Sequence, residues 1–385
     1  MMHCSRRGAR ANRSSKSSNM STTLPHHTII PLDFTNLILT QSNKLPHTHT
    51  WPHRSYDSPD PSHHPVPVID LSAPRAVHLI RHACDKFGAF QVTGHGVPVQ
   101  LLKEVEAEAR RLFSLPMGRK ILALRSPENM AGYGTAPVSL LCPKGLWSEG
   151  FTIAGSVAEH ATKLWPAHDE SSRFCSVIGE YKKQMELVTK KIITLILTSL
   201  GLTNDDVPWM KAEKEAVSEA AVVQLNSYPV CPDPAQAMGM APHTDSSMVT
   251  VLYQGNVAGL QLQSEKGRWV TVPPTEGALV VNLGDLMHIL SNGRFRSVLH
   301  RALVNGSEHR ISVAYFYGSP KGVEVKPAVN LVGEGTSPMY GPVTWKDYLG
   351  LKGRHGQKAL EMIKTSKVHG MLSVCKMCAM SNVVS

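Results

Sequence analysis

From Val222 to Tyr317 the chain is written in short alternating runs of apolar and polar residues separated by turns: Met248–Tyr253, Gly259–Gln263, Arg268–Val272, Ala278–Leu283, Phe295–Val304 and Arg310–Tyr317. Successive side chains of a strand point to opposite faces, so each run specifies a strand with at least one buried side. Many short strands at this spacing form a sandwich or barrel, and a jelly roll is one way to limit their open edges. Ahead of them the pattern is helical. Ala76, Leu79, Ile80, Ala83 and Phe87 recur at helical spacing before Gly88, a helix-ending residue. Leu101 to Phe113 and the long stripe from Phe174 to Ile196 repeat at threes and fours. The Met and aromatic members of that stripe read as core, and its helix as a brace on the barrel's outside.

The strand-rich part carries the chemistry. His243 and Asp245 are two apart, so on a strand they share a face and can grip one metal ion. Among the nineteen His, His300 is the third candidate. Its neighbours Val298, Ala302 and Val304 share its face and turn the imidazole toward an apolar interior. Two His and one carboxylate on one side of an octahedral ion leave the other side open, the arrangement of non-haem Fe(II) oxygenases, while zinc hydrolysis is the competing use of such ligands. Next come Arg310 and Ser312, again on one strand face, with Ala314 and Phe316 continuing it inward. A guanidinium buried there needs an anion. Arg310 with the Ser312 hydroxyl suits a carboxylate held bidentately, and Tyr228, in Asn226-Ser227-Tyr228-Pro229, offers a phenol to the same anion.

Taken together, His243-x-Asp245, His300, Arg310-x-Ser312 and Asn226-x-Tyr228 resemble the plant 2-oxoglutarate and Fe(II)-dependent dioxygenases, over about Val66 to Ile363. Within that family the chain is most similar to the gibberellin 3β-hydroxylases, through Leu146 to Ile153, Lys163 to Pro166 and Gly284 to Gly293. The resemblance implies a mainly β fold with α: a double-stranded β-helix (jelly-roll) core with N-terminal helices packed on it. It implies Fe(II) on His243, Asp245 and His300, with no catalytic side chain beyond the metal centre. It also implies 2-oxoglutarate on Arg310, Ser312 and Tyr228, ascorbate as activity support, and O2 with a diterpenoid acid as substrates. The reaction implied is 3β-hydroxylation of C19 gibberellins to bioactive hormone. Two other readings stay open: a sister oxygenase acting at another gibberellin position or on a phenolic, and a non-catalytic metal protein that binds the small acid. The resemblance also makes Gly132 to Ile153 a cover for the substrate pocket, with surface hairpin packing as the plain alternative. His95, between two glycines, reads as a structural turn residue.

Residues 1–64 lack periodicity and are expected to be a disordered leader; 65–215 form the helical region, 216–365 the jelly-roll core, and 366–385 a flexible tail. The helices are expected to pack on the barrel, not to form a domain apart. The net charge of +10 suggests nucleic acid, but Arg6, Arg7, Arg10, Arg13 and Lys16 place half the excess in the leader, and no basic helix with interleaved aromatics follows. That leader matches an organellar transit peptide, while an internal start at Met20 would remove most of its basic residues. Seven scattered Cys read as reduced thiols, and Cys375-x-x-Cys378 lacks the second pair a zinc or redox motif needs. No apolar run has the length of a membrane span. The expectation is a soluble protein of the cytoplasm, with the nucleus a second compartment, and no nucleic-acid or membrane partner.

Overall fold

The computed structural model describes residues 30–39, 44–52, 66–125, 131–203, 205–207, 209, 220–333, 335 and 337–365. Basic leader residues, Met20 and Cys375 to Cys378 lie outside them. In chain order the principal strands are β1 (Val68–Asp70), β2 (Ala89–Thr93), β3 (Gly132–Gly134), β4 (Glu149–Ala154), β5 (Ala221–Tyr228), β6 (Met240–His243), β7 (Val249–Tyr253), β8 (Leu260–Gln263), β9 (Trp269–Thr271), β10 (Leu279–Leu283), β11 (His300–Ala302) and β12 (Arg310–Tyr317). The helices used below are α1 (Phe34–Leu39), α2 (Ala76–Lys86), α3 (Val99–Phe113), α4 (Met117–Lys120), α5 (Val157–Leu164), α6 (His168–Ser199), α7 (Asp285–Leu290) and α8 (Trp345–His355).

Eight strands pair in the order β1-β2-β10-β7-β12-β5-β4-β3, and four more in the order β6-β11-β8-β9. The larger sheet has two different faces because its strands alternate. Ile311, Val313, Tyr315 and Tyr317 of β12 join Val223, Leu225, Val251 and Val281 in a core shared with α2, α3 and α6. Ala314, Leu252 and Val280 point the other way and meet Leu260 and Leu262 of the smaller sheet. This is the jelly-roll core with helices packed on its outside. Phe174, Ile178, Tyr181, Met185, Ile192 and Ile196 of α6 are wholly buried in that outer core, as their spacing predicts. Asp169 and Glu170 in its first turn suit the positive end of the helix dipole.

Two expectations are corrected. The leader is not disordered throughout: Phe34 of α1 meets Trp147 edge to face, with ring centroids 5.1 Å apart. Leu32, Leu37 and Leu45 pack on the same cluster, and Trp51 Nε1 donates to Gly145 O at 2.8 Å. A few large apolar residues thus find a dry partner far along the chain, which local composition does not reveal. Residues 295–299 are not strand, and β11 is only His300–Ala302, with a register shift against β6. The stretch from Gly132 to Ile153 includes the antiparallel ribbon of β3 and β4. Its end, β4, pairs with β5 from Glu149↔Ser227 to Ala154↔Val222 and sends Phe151 and Ile153 into the outer core.

Glu149 is the first residue of β4. Its carboxylate is 3% exposed, and it receives Lys120 Nζ at 2.7 Å and the Tyr133 hydroxyl at 2.7 Å. Burial pushes the Glu149 pKa up, while Lys120 and the hydroxyls pull it back in part. Removing one member strands the other charge, so Glu149→Gln is expected to lower stability by about 3–5 kcal/mol. A denaturant titration checks this, and Lys120→Met with Glu149→Leu should recover much of the loss, because an apolar pair leaves no buried charge.

Candidate metal centre

β6 and β11 are neighbours in the smaller sheet, and their register places His300 opposite His243. The ring centroids stand 4.3 Å apart. Asp245 follows two residues after His243, and its Oδ1 lies 3.7 Å from His243 Nε2 and 3.6 Å from His300 Nε2. One ligand atom from each of the three fits within 4.8 Å of the others. Among the described residues this is the one such group.

The tautomers suit a metal. His243 Nδ1 meets Ala241 O at 2.8 Å, and His300 Nδ1 meets Val298 O at 3.1 Å. A carbonyl only accepts, so each Nδ1 carries the proton and each Nε2 lone pair is free to ligate. Burial and the neighbouring His300 hold the His243 pKa down, to about 4, so it stays neutral at physiological pH. Burial disfavours charge on Asp245, but His300 and His243 outweigh it and keep the carboxyl below its ordinary range. Asp245 Oδ2, buried, has no hydrogen-bond partner among the described residues. Two neutral imidazoles and a carboxylate with an unused oxygen fit a divalent cation.

Arg310 opens β12 opposite Tyr228 of β5, and Ser312 lies opposite Asn226. The guanidinium is 2% exposed and sits 5.0 Å from the Tyr228 ring. Its Nε donates to Val257 O at 3.1 Å, while Nη1 has no partner among the described residues. Burial pulls its pKa down, offset in part by the charge and hydrogen bond of Tyr228 and, among the described residues, by no acidic side chain. A buried cation so placed calls for an anion from outside the chain. Sequence reasoning missed the two glycines that make its room. A Cβ on Gly259 would stand 2.9 Å from Arg310 Cδ, and one on Gly239 2.7 Å from Tyr228 Cδ1. It also missed Gln91 and Asn282, which share the inner face with Val280 and have buried amide atoms without partners among the described residues. Their inward positions between apolar outward neighbours were the available signal. His95 is the turn residue expected: its Nδ1 accepts from Val97 N at 3.1 Å and its Nε2 meets Gly277 O at 2.8 Å.

Residues 219–319 match the 2OG-Fe(II) oxygenase superfamily, and residues 66–169 match the N-terminal region described as non-haem dioxygenase in morphine synthesis. Gibberellin 3-beta-dioxygenase 3 of Arabidopsis thaliana is 47% identical over 343 residues, 87% of this chain and 95% of the relative. Gibberellin 3-beta-dioxygenase 1 of Pisum sativum is 46% identical over 310 residues, 80% of this chain and 82% of the relative. The chain belongs to the 2OG-Fe(II) oxygenase superfamily. Among solved oxygenase structures, JOX2 in complex with 2OG, Fe and JA superposes with a TM-score of 0.74 at 29% identity, covering 88% of this chain and 98% of JOX2. The rice dioxygenase for auxin oxidation gives 0.64 at 28% identity, covering 78% and 100%. This oxygenase is therefore an enzyme that uses Fe(II) and 2-oxoglutarate, with O2 and a small molecule as substrates. No helix among the described residues is long and apolar enough to cross a membrane.

His309, beside the oxygenase's Arg310, bonds Ser227 Oγ through Nε2 at 2.9 Å. Burial, then the charge of Arg110, lowers its pKa to about 4. An unfolded chain's His takes its proton near 6.5, so between about 6.5 and 4 the unfolded state binds more protons and stability falls as pH is lowered. In the metal-free protein His243 acts with the same sign. Thermal midpoints measured from pH 7 to 4.5 should decline, and His309→Gln should make the decline shallower.

Proposed function

We propose that this oxygenase hydroxylates C19 gibberellins at C-3β, and that His243, Asp245 and His300 hold its Fe(II). The overall change is substrate C–H with 2-oxoglutarate and O2 giving C–OH, succinate and CO2. Fe(II), when bound, supplies the activation of O2 that couples decarboxylation to C–H oxidation. The chain's own residues bind and orient. Arg310 pairs with the distal carboxylate of 2-oxoglutarate, and the hydroxyls of Ser312 and Tyr228 complete that cradle. His243 and His300 present Nε2 because Ala241 and Val298 hold their Nδ1 protons. The apolar inner face of Leu252, Val280 and Ala314 excludes water from the reacting centre.

The likeness to gibberellin 3-beta-dioxygenases, 41–47% identical across at least 80% of the chain, carries the substrate assignment. The test is anaerobic reconstitution with Fe(II), then O2, 2-oxoglutarate and ascorbate with a panel of C19 gibberellins, reading succinate and product by mass spectrometry. Succinate coupled to a 3β-hydroxylated gibberellin is expected. Succinate without gibberellin oxidation would keep the oxygenase and discard this substrate; none under any condition would overturn turnover itself.

A further inference from the structure

The segment that carries His243 and Asp245 is gripped from behind. With those two turned toward the metal centre, residues 242, 244 and 246 offer contacts away from it, and the C-terminal helix or its following turn meets each one. Gln357 Nε2 donates to Pro242 O at 3.2 Å, Lys352 Nζ donates to Thr244 Oγ1, and Trp345 Nε1 donates to Ser246 Oγ at 3.3 Å. Trp345 and Lys352 belong to α8, and Gln357 lies two residues beyond its end. Lys352 is the middle of the grip and also pairs with Asp285 Oδ2. That oxygen receives the Thr244 hydroxyl at 3.1 Å and the Tyr348 hydroxyl at 2.8 Å. Asp285 closes the circuit through its backbone, whose N–H donates to Asp245 O at 2.8 Å. Asp285 and Tyr348 are wholly or almost wholly buried, so these bonds do not compete freely with water.

We propose that α8 is a clamp that sets metal affinity, with Lys352 its central positioning residue. The inference rests on His243, Asp245 and His300 being the metal ligands. A ligand set made of His243 at the end of one short strand, Asp245 beyond that end and His300 on the neighbouring strand has little stiffness of its own. Three outer contacts, at residues 242, 244 and 246, fix the path of this segment as it leaves β6, and with it the spacing of imidazole and carboxylate. Outer partners that orient metal ligands are worth about tenfold to a hundredfold in metal affinity. Arg310, on β12 of the other sheet, receives none of these contacts, so the clamp should leave cosubstrate binding alone.

Removing Lys352 alone would leave Asp285 a buried unpaired charge and could unfold the region. The experiment therefore uses Asp285→Asn with Lys352→Met, which removes both charges, alongside Lys352→Arg and Gln357→Ala. Co(II) is titrated into each metal-free protein and followed by its ligand-field absorption. The 2-oxoglutarate KM is then measured at saturating Fe(II). The double variant is expected to bind Co(II) about tenfold to a hundredfold more weakly, with altered absorption bands and a KM within about twofold of wild type. Lys352→Arg should restore most of the affinity. Should the double variant not fold, Gln357→Ala decides by the same titration, with a loss of several-fold expected. Unchanged Co(II) affinity and bands in the folded variants would overturn the clamp and leave the metal site standing. Wild-type protein that takes up no Co(II) would overturn both, and neither result depends on which substrate is oxidised.

Discussion

Asp245→Ala and His300→Ala each abolish turnover, lowering it by more than about a thousandfold, or roughly 4 kcal/mol of barrier. The reason lies in what each donor contributes. Asp245 is the one carboxylate of the candidate set and would partly neutralise a dication in this buried site. His300 lies opposite His243 in the sheet, and its ring is aimed by the Val298 carbonyl. No other His, Cys, Asp or Glu among the described residues forms part of such a group. Co(II) uptake and succinate release measured together check this. Wild-type-like turnover in either variant would remove that residue from the metal site.

Arg310→Lys raises the 2-oxoglutarate KM by about tenfold to a hundredfold, because an ammonium cannot reproduce the two parallel N–H bonds of a guanidinium. Arg310→Met goes further and separates two effects. Without its cosubstrate, wild-type protein holds a buried cation whose Nη1 has no partner among the described residues. Replacing it with an apolar side chain removes that cost, so the cosubstrate-free variant should melt no lower than cosubstrate-free wild type. Added 2-oxoglutarate should raise the wild-type midpoint by mass action and leave that of Arg310→Met unmoved. A KM unchanged in Arg310→Lys would place the cosubstrate elsewhere.

The strands were legible because they depend on the period of two; the candidate ligands His243 and Asp245 lie close together although Asp245 is beyond the end of β6, outside any strand period. Arg310, Ser312, Ala314 and Phe316 were expected on one face and share it, and β12 spans Arg310–Tyr317 as its pattern indicates. His300 stood out for its apolar setting, and it is buried. What stayed hidden depends on contacts distant in sequence. Lys352 and Thr244 are 108 residues apart, and nothing near either announces the other. Helix α7 has six residues, too few for a helical period to register. The pairing of Phe34 with Trp147 seats the short helix α1 of a polar-looking leader on the sheet-bearing part of the chain. Gly239 and Gly259 matter for what they lack, and only the packed Tyr228 and Arg310 show it.

The two faces of the larger sheet divide its tasks between odd and even positions. In β12, Ile311, Val313, Tyr315 and Tyr317 belong to the outer core, while Arg310 and Ser312 belong to the site. Changes at the even positions can retune what the enzyme accepts without taking mass from the core that holds it together. Loss of a single residue within the strand is another matter, because it would turn isoleucine toward the inner face and arginine toward the helices. Such a lineage is open to substitution at the site and closed to deletion there, and its history should be one of exchanged side chains on strands of constant length.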